Sequence, residues 1–351
     1  MAVKTLAVKY RPKTWDEVSE QTSTKIILQQ QLESGEVKNA YLFCGPAGCG
    51  KTTCARIFAN DINKGMGNPI ELDAASNNGV DDVRNIIQQA KTKSINSEYK
   101  IFIIDECHAL SNSAWQAMLK IIEEPPAKSI FIFCTTDPQK IPKTILSRVQ
   151  RYDFQRLSQI GVIDRLVYIY KQENLPDGKE VVEALEFIAR LADGGMRDAI
   201  TLMDKCLAYH PKLTLKHVTE ALGTADYSTM FELTDCLLGY SNDSYDNLGA
   251  KEAIEIIETL HANGKELKTF VKQYVQFLLD LDKYSLGCDW KYLQMPRLKN
   301  YEEALESYDD AEWNEIHRWL SVFVQLSADI KWSQSVKYDI EAAIIVNKEN
   351  K

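Results

Sequence analysis

The segment Gly45-Pro46-Ala47-Gly48-Cys49-Gly50-Lys51-Thr52 has the residue types and spacing to hold a triphosphate. It fits G-x-x-x-x-G-K-[ST], the phosphate-binding P-loop. The glycines let the backbone wrap a ligand that side chains would strike, so that successive N–H groups point at phosphate oxygens. The helix expected to follow, from Thr52 to Asn60, adds the positive end of its dipole. Lys51 is placed to reach the β- and γ-phosphates and Thr52 to hold Mg²⁺ through its hydroxyl, with Thr53 continuing the binding segment.

A second constellation is Ile101-Phe102-Ile103-Ile104-Asp105-Glu106, two carboxylates at the end of an apolar run. Asp105 suits the Mg²⁺ shell, and Glu106 suits polarising a water for in-line attack on a γ-phosphate. Thr136 stands at the tip of another apolar run, where its hydroxyl would hold the attacking water or the γ-phosphate. Arg148 and Arg197 carry the group that stabilises charge on a transferring phosphoryl. For each of them the sequence leaves that role and a surface ion pair equally open.

These residues need a scaffold that aligns strand ends. Four apolar runs, 40–44, 69–73, 101–104 and 130–134, read as buried parallel strands separated by helical patterns. A weaker fifth strand is expected at 150–154. From Ser158 the period becomes helical: Val162, Leu166, Ile169 and Tyr170, then Val181, Leu185, Ile188 and Leu191. Gly194-Gly195 breaks the chain before a helix from Met196 to Tyr209, and Thr214 caps a short helix ending near Leu222. A hinge is expected at 223–226 and loops at 241–247 and 283–299. The predicted organisation is an α/β domain of parallel sheet and flanking helices at 1–157, a small helical domain at 158–223 and an all-α domain at 224–351. Apolar stripes such as Trp313, Ile316, Leu320 and Phe323 suit core packing or a subunit interface.

Bulk properties narrow the class. The net charge is −9, which argues against a simple basic nucleic-acid coat. The balance is uneven: residues 1–157 hold 20 Lys and Arg against 17 Asp and Glu, and the remainder 21 against 33. Nucleic-acid contact is therefore expected from the N-terminal part. No run of 18 apolar residues and no apolar signal core predict a cytoplasmic chain without a transmembrane helix. The eight cysteines form no C-x-x-C pair. Cys44, Cys49 and Cys54 fall on a strand end, a loop and a helix, where their side chains diverge, so no zinc is expected.

Taken together the segments resemble the AAA+ ATPase subunits of sliding-clamp loaders, in particular the bacterial DNA polymerase III gamma/tau family. The resemblance runs through Leu6-Ala7-Val8-Lys9-Tyr10-Arg11-Pro12-Lys13-Thr14-Trp15, the P-loop, Glu71-Leu72-Asp73-Ala74-Ala75-Ser76 and Asp105-Glu106-Cys107-His108-Ala109-Leu110. It continues in Glu123-Glu124-Pro125-Pro126, Thr135-Thr136-Asp137-Pro138-Gln139-Lys140-Ile141-Pro142, Ile145-Leu146-Ser147-Arg148 and Gly195-Met196-Arg197-Asp198-Ala199. Order and spacing match over residues 1–223, whereas the last third matches mainly in length and helical character.

The resemblance implies an AAA+ ATP-binding domain, a helical lid and a helical collar. Tyr10, Arg11, Pro12 and Val18 would surround the adenine. Thr136 would be sensor 1 and Arg197 sensor 2, and Arg148 would reach a neighbouring subunit's ATP. The chain would work with other clamp-loader subunits or copies of itself in a ring-like, pentameric assembly. ATP binding would open the sliding clamp and grip primer-template DNA, and hydrolysis would release the closed clamp. Backbone contacts independent of sequence would come from the helix after Ser76-Asn77-Asn78-Gly79, with Asn78, Gly79 and Arg84 as candidates.

Three departures from the family are visible. Its four-cysteine zinc module has no counterpart in Asp61–Asn68, its Ser-Arg-Cys reads Ser147-Arg148-Val149, and no long C-terminal extension for tethering is expected. The missing zinc module suggests a divergent bacterial or phage version. A superfamily-2 helicase also carries Asp-Glu-Cys-His, but its second RecA-like domain and Q-x-x-G-R motif are missing here. Another AAA+ DNA motor, for branch migration or helicase loading, and a non-hydrolysing clamp-loader stator remain as alternatives.

Overall fold

The computed structural model describes residues 4–222, 227–239 and 248–349. The expected hinge at 223–226 and the expected loop at 241–247 lie outside the described residues. The chain forms two compact units: residues through Asn174 together with Ala192–Asp204, and Leu175–Leu191 together with residues from Lys205 on.

The first unit is built on five parallel strands, β1 (Ala40–Cys44), β2 (Ile70–Asp73), β3 (Lys100–Asp105), β4 (Ser129–Thr135) and β5 (Gln150–Asp153). Their order in the sheet is β2-β3-β4-β1-β5. Helices α1 (Leu6–Lys9), α2 (Thr22–Ser34), α3 (Lys51–Ile62), α4 (Val80–Ala90), α5 (Asn112–Glu123), α6 (Lys143–Leu146) and α7 (Gln159–Gln172) complete it, with the start of α9 (Met196–Tyr209).

The apolar runs lack alternation because β1 and β4 are buried on both faces. Leu42, Phe102, Ile104, Phe131 and Phe133 meet α4 and α5 through Val83, Ile86, Trp115 and Met118. Their chain neighbours Tyr41, Phe43, Ile101, Ile103, Ile130 and Ile132 point the other way, onto Ala55, Phe58 and Leu28 of α3 and α2. Strand registration is thereby fixed from two sides, since a one-residue slip would exchange the two sets.

The second unit holds α8 (Lys179–Leu191), the end of α9, α10 (Leu215–Leu222), α11 (Tyr227–Leu238), α12 (Leu248–Ala262), α13 (Leu267–Ser285), α14 (Lys299–Ser307), α15 (Asp310–Asp329) and α16 (Val336–Glu349). Its core gathers Phe270, Tyr274, Phe277, Ile316, Trp319 and Phe323, so these stripes are filled by neighbouring helices of the same unit. Buried Asp280 accepts hydrogen bonds from the N–H groups of Gln294 and Met295 at 2.7 and 2.8 Å. That pair pins the irregular segment after α13, and Arg190 of α8 donates to Met295 O at 2.5 Å. Thr214 accepts from His217 N–H at 3.2 Å, the bond expected of a residue capping α10. Among the described residues no helix is long and apolar enough to cross a membrane.

Candidate nucleotide site

All strands of a parallel sheet end on one side, and here β3, β4 and β1 are consecutive neighbours. Their C-terminal ends bring Asp105, Thr136 and the P-loop together. The loop leads into α3, whose first intrahelical bond is Cys54 N–H to Gly50 O, 2.9 Å. The N–H groups of Lys51, Thr52 and Thr53 precede that bond and stay available to an anion.

A cavity of about 620 Å³ opens at this edge, lined by Ala47, Gly48, Cys49, Gly50, Lys51, Thr52 and Thr53 with Asp105 and Glu106. Tyr10, Arg11, Pro12 and Val18 line it from the N-terminal segment, and Met196, Arg197 and Asp198 from the start of α9. Gly45 and Pro46 serve it indirectly, because their carbonyls hold the Lys51 ammonium at 2.8 and 2.7 Å. Lys51 is 6% exposed, and among the described residues no carboxylate pairs with it. A buried cation held only by carbonyl dipoles fits an anionic ligand.

Gly50 has φ +102°, and a Cβ built there would meet nothing within 4 Å, leaving room for a phosphate against the backbone. Gly48 has φ +72°, and a Cβ there would lie 3.0 Å from Gly195 Cα. The loop thus packs backbone to backbone on the turn that starts α9, where Met196 N–H donates to Gly48 O at 3.1 Å. This contact delivers Arg197 to the cavity. Among the described residues no ion pair or hydrogen bond occupies its guanidinium.

Thr52 Oγ1 donates to Asp105 Oδ2 at 2.8 Å. Two hard oxygens so close suit Mg²⁺, which takes few protein ligands and keeps waters and phosphates for the rest. No group of three or more His, Cys, Asp or Glu able to hold a metal ion occurs among the described residues. Cys44 packs on the α4–α5 side of the sheet, while Cys49 and Cys54 pack in the core on its other side. Burial pushes the Cys44 thiol up to about 11, the Cys54 thiol up to about 12, and Cys49 upward as well.

Glu106 has a left-handed backbone, φ +46°, an unusual state for a non-glycine residue that turns its side chain away from the line of β3. Its Oε2 accepts from Thr136 Oγ1 at 3.1 Å and lies 3.3 Å from His108 Nδ1.

Other candidates sit apart. Arg148 does not line the cavity: it pairs with Glu123 at 2.8 Å and donates to Thr144 O at 2.8 Å. Asn78 O accepts from Ser111 N–H at 3.1 Å, and Gly79 N–H donates to Asp82 Oδ2 at 3.2 Å. The first turn of α4 carries Asp81 and Asp82, and Arg84 pairs with Asp81 at 2.9 Å. A DNA phosphate there would compete with Asp81 for the guanidinium.

Several lining residues were not expected from the sequence, among them Ser19, Arg56 and Arg165. Arg165 of α7 donates to Tyr10 O at 2.8 Å, and Tyr10 OH donates to Glu173 just past the same helix. Lys9 also donates to Glu173, at 2.6 Å, and that bond leads the contacts holding its carboxyl below the usual range. The N-terminal wall of the cavity is thus tied to α7. No local pattern marks such a link, which joins residues 155 and 163 positions apart.

Residues 66–158 match the family model for the DNA polymerase III delta subunit, and residues 162–210 that for the ATPase lid domain of the DNA polymerase III clamp loader subunit. DNA polymerase III subunit tau of Bacillus subtilis is 32% identical over 98% of this chain and 63% of its own length. The gamma/tau subunit of Mycobacterium tuberculosis is 34% identical over 78% of this chain and 50% of its own. The chain therefore spans between half and two thirds of the length of these relatives. A solved structure of the RuvB Holliday junction branch migration motor of Thermotoga maritima superposes with a TM-score of 0.52 at 20% identity, covering 74% of this chain and 87% of that one. At that identity the likeness concerns the fold.

Sheet order, P-loop and helical lid together define an AAA+ module. Within that class, the chain belongs to the DNA polymerase III gamma/tau clamp-loader subunit family.

Proposed function

We propose that the chain is an ATPase subunit of a clamp loader in the bacterial cytoplasm, with an ATPase domain at 1–157, a lid at 158–223 and a collar at 224–351. The observation that carries this reading is one cavity lined by an anion-seeking Lys51, the Thr52–Asp105 pair and Glu106, with Thr136 behind it donating to the Glu106 carboxylate. The P-loop N–H groups and Lys51 grip the phosphates, while Tyr10, Arg11, Pro12 and Val18 wall the base. Thr52 and Asp105 hold Mg²⁺, which when bound neutralises charge on the phosphate oxygens. Glu106 takes a proton from the attacking water, and Thr136 keeps the carboxylate in place. Arg197 senses the γ-phosphate and so couples the nucleotide to the lid.

ATP binding assembles the subunits, opens the sliding clamp and grips primer-template DNA; hydrolysis releases the closed clamp. Asn78, Gly79 and Arg84 contact the DNA backbone. Arg148 lies away from its own cavity and serves a neighbouring subunit's ATP. Replacing Arg148 with Ala is expected to leave ATP affinity of the isolated chain within about twofold. It should lower turnover in the assembly by about 10³-fold, the lower range for a lost arginine finger. Equilibrium nucleotide titration and phosphate release, measured with clamp and primed DNA, check both halves. Unchanged turnover in the assembly would remove Arg148 from the reaction.

A further inference from the structure

We infer that His108 is a positioning residue for the reaction, fixing one oxygen of the Glu106 carboxylate so that the other faces the water. This rests on the proposed reading of Glu106 as the base. The Nδ1 atom of His108 stands 3.3 Å from Glu106 Oε2 and 3.1 Å from Thr135 Oγ1. Thr135 is fully buried at the end of β4 and its hydroxyl also accepts from Asp137 N–H at 3.0 Å. The imidazole is thus braced against a fixed point on the sheet.

Its own backbone is equally constrained. His108 lies in a short 3-10 turn opened by Glu106, whose carbonyl accepts from Ala109 N–H at 2.9 Å. The turn closes on Ser111, which caps α5 by accepting from Ala114 N–H at 3.2 Å. A proton on Nδ1, assigned from these partners, bonds Thr135 Oγ1 at 3.1 Å and holds the ring edge 3.3 Å from Oε2, beside the Thr136 hydroxyl. The Thr136 hydroxyl, which donates, and the His108 ring edge, at 3.3 Å, meet the same oxygen from two elements, the segment after β4 and the turn. Among the described residues no hydrogen bond reaches Oε1, and Glu106 lines the cavity. Oε1 is therefore the atom that takes the proton. A carboxylate free to rotate would lose that alignment, and proton abstraction depends on it.

Phosphate release and ATP binding by the full chain, in its assembly with clamp and primed DNA, test this with His108→Ala, His108→Asn and His108→Gln. An Asn amide nitrogen reproduces the position of Nδ1, whereas a Gln amide reaches further along the ring. His108→Ala is expected to lower kcat about 10- to 100-fold with the ATP dissociation constant within twofold. His108→Asn should recover most of the loss and His108→Gln little. In a Glu106→Gln background His108→Ala should cause no further fall. Wild-type kcat in His108→Ala, equal loss in all three variants, or loss of ATP binding along with kcat would overturn the inference. Persistent turnover in Glu106→Gln alone would instead overturn the base assignment beneath it.

Discussion

Glu106→Gln is expected to bind ATP as the wild type does and to turn it over about 10²- to 10⁴-fold more slowly, the usual contribution of a positioned general base. The amide keeps the size of the carboxylate and still accepts from Thr136, whose hydroxyl lies 3.1 Å from Oε2. It cannot take a proton from water. Lys51 makes no hydrogen bond to Glu106, and Asp105 accepts only from the Glu106 backbone N–H, at 3.1 Å, which the substitution keeps, so affinity should survive. Nucleotide titration beside a single-turnover assay checks this. Undiminished turnover would show that another group accepts the proton.

Lys51→Ala is expected to reduce ATP affinity about a hundredfold, since charge-assisted hydrogen bonds contribute about 1.5–3 kcal/mol each and each 1.4 kcal/mol is tenfold. Lys51 is buried against the carbonyls of Gly45 and Pro46, and a bound triphosphate would supply the negative charge that its surroundings lack. The substitution also leaves those two carbonyls without their donor. Thermal unfolding without nucleotide separates that cost from lost affinity: the variant should melt within a few degrees of wild type, yet gain little when ATP is added. A full ATP-induced stabilisation in Lys51→Ala would rule out its contact with the phosphates.

Much of the nucleotide half was legible in the sequence because its determinants are local. Strands β1 and β4 lie where unbroken runs of apolar residues put them, since both faces are covered and no alternation is needed. The fifth strand was fainter: Gln150 and Arg151 leave part of β5 solvated, and it ends at Asp153, one residue short of the expected Phe154. Helix α3 begins at Lys51 and runs to Ile62, two residues beyond its expected end. Where the sequence suggested a loop from 283, α13 continues to Ser285.

Relations between distant segments could not be read in this way. Gly48 meets Gly195, and Tyr10 reaches Glu173, but neither contact leaves a periodic trace along the chain. The same holds for Arg165 and Arg56, two basic residues on helices whose spacing suggests only a solvated face. His108 carried a fainter signal. It stands two residues after an acid that ends an apolar strand, and the left-handed turn at Glu106 folds it back to that acid's own carboxylate. Nor does helical periodicity locate the boundary between compact units, which falls inside α9 between Asp204 and Lys205, with the pattern unbroken on both sides.

In the proposed function energy release is tied to assembly, because the arginine that completes the site comes from a neighbouring subunit. The most direct test is the ATP turnover of the wild-type chain per subunit, followed as its concentration is raised, alone and then with clamp and primed DNA. Slow turnover in dilute solution, climbing with concentration and again on adding clamp and template, is the expected result. A dilute, solitary chain that hydrolyses ATP at its maximal rate, unmoved by either addition, would contradict it.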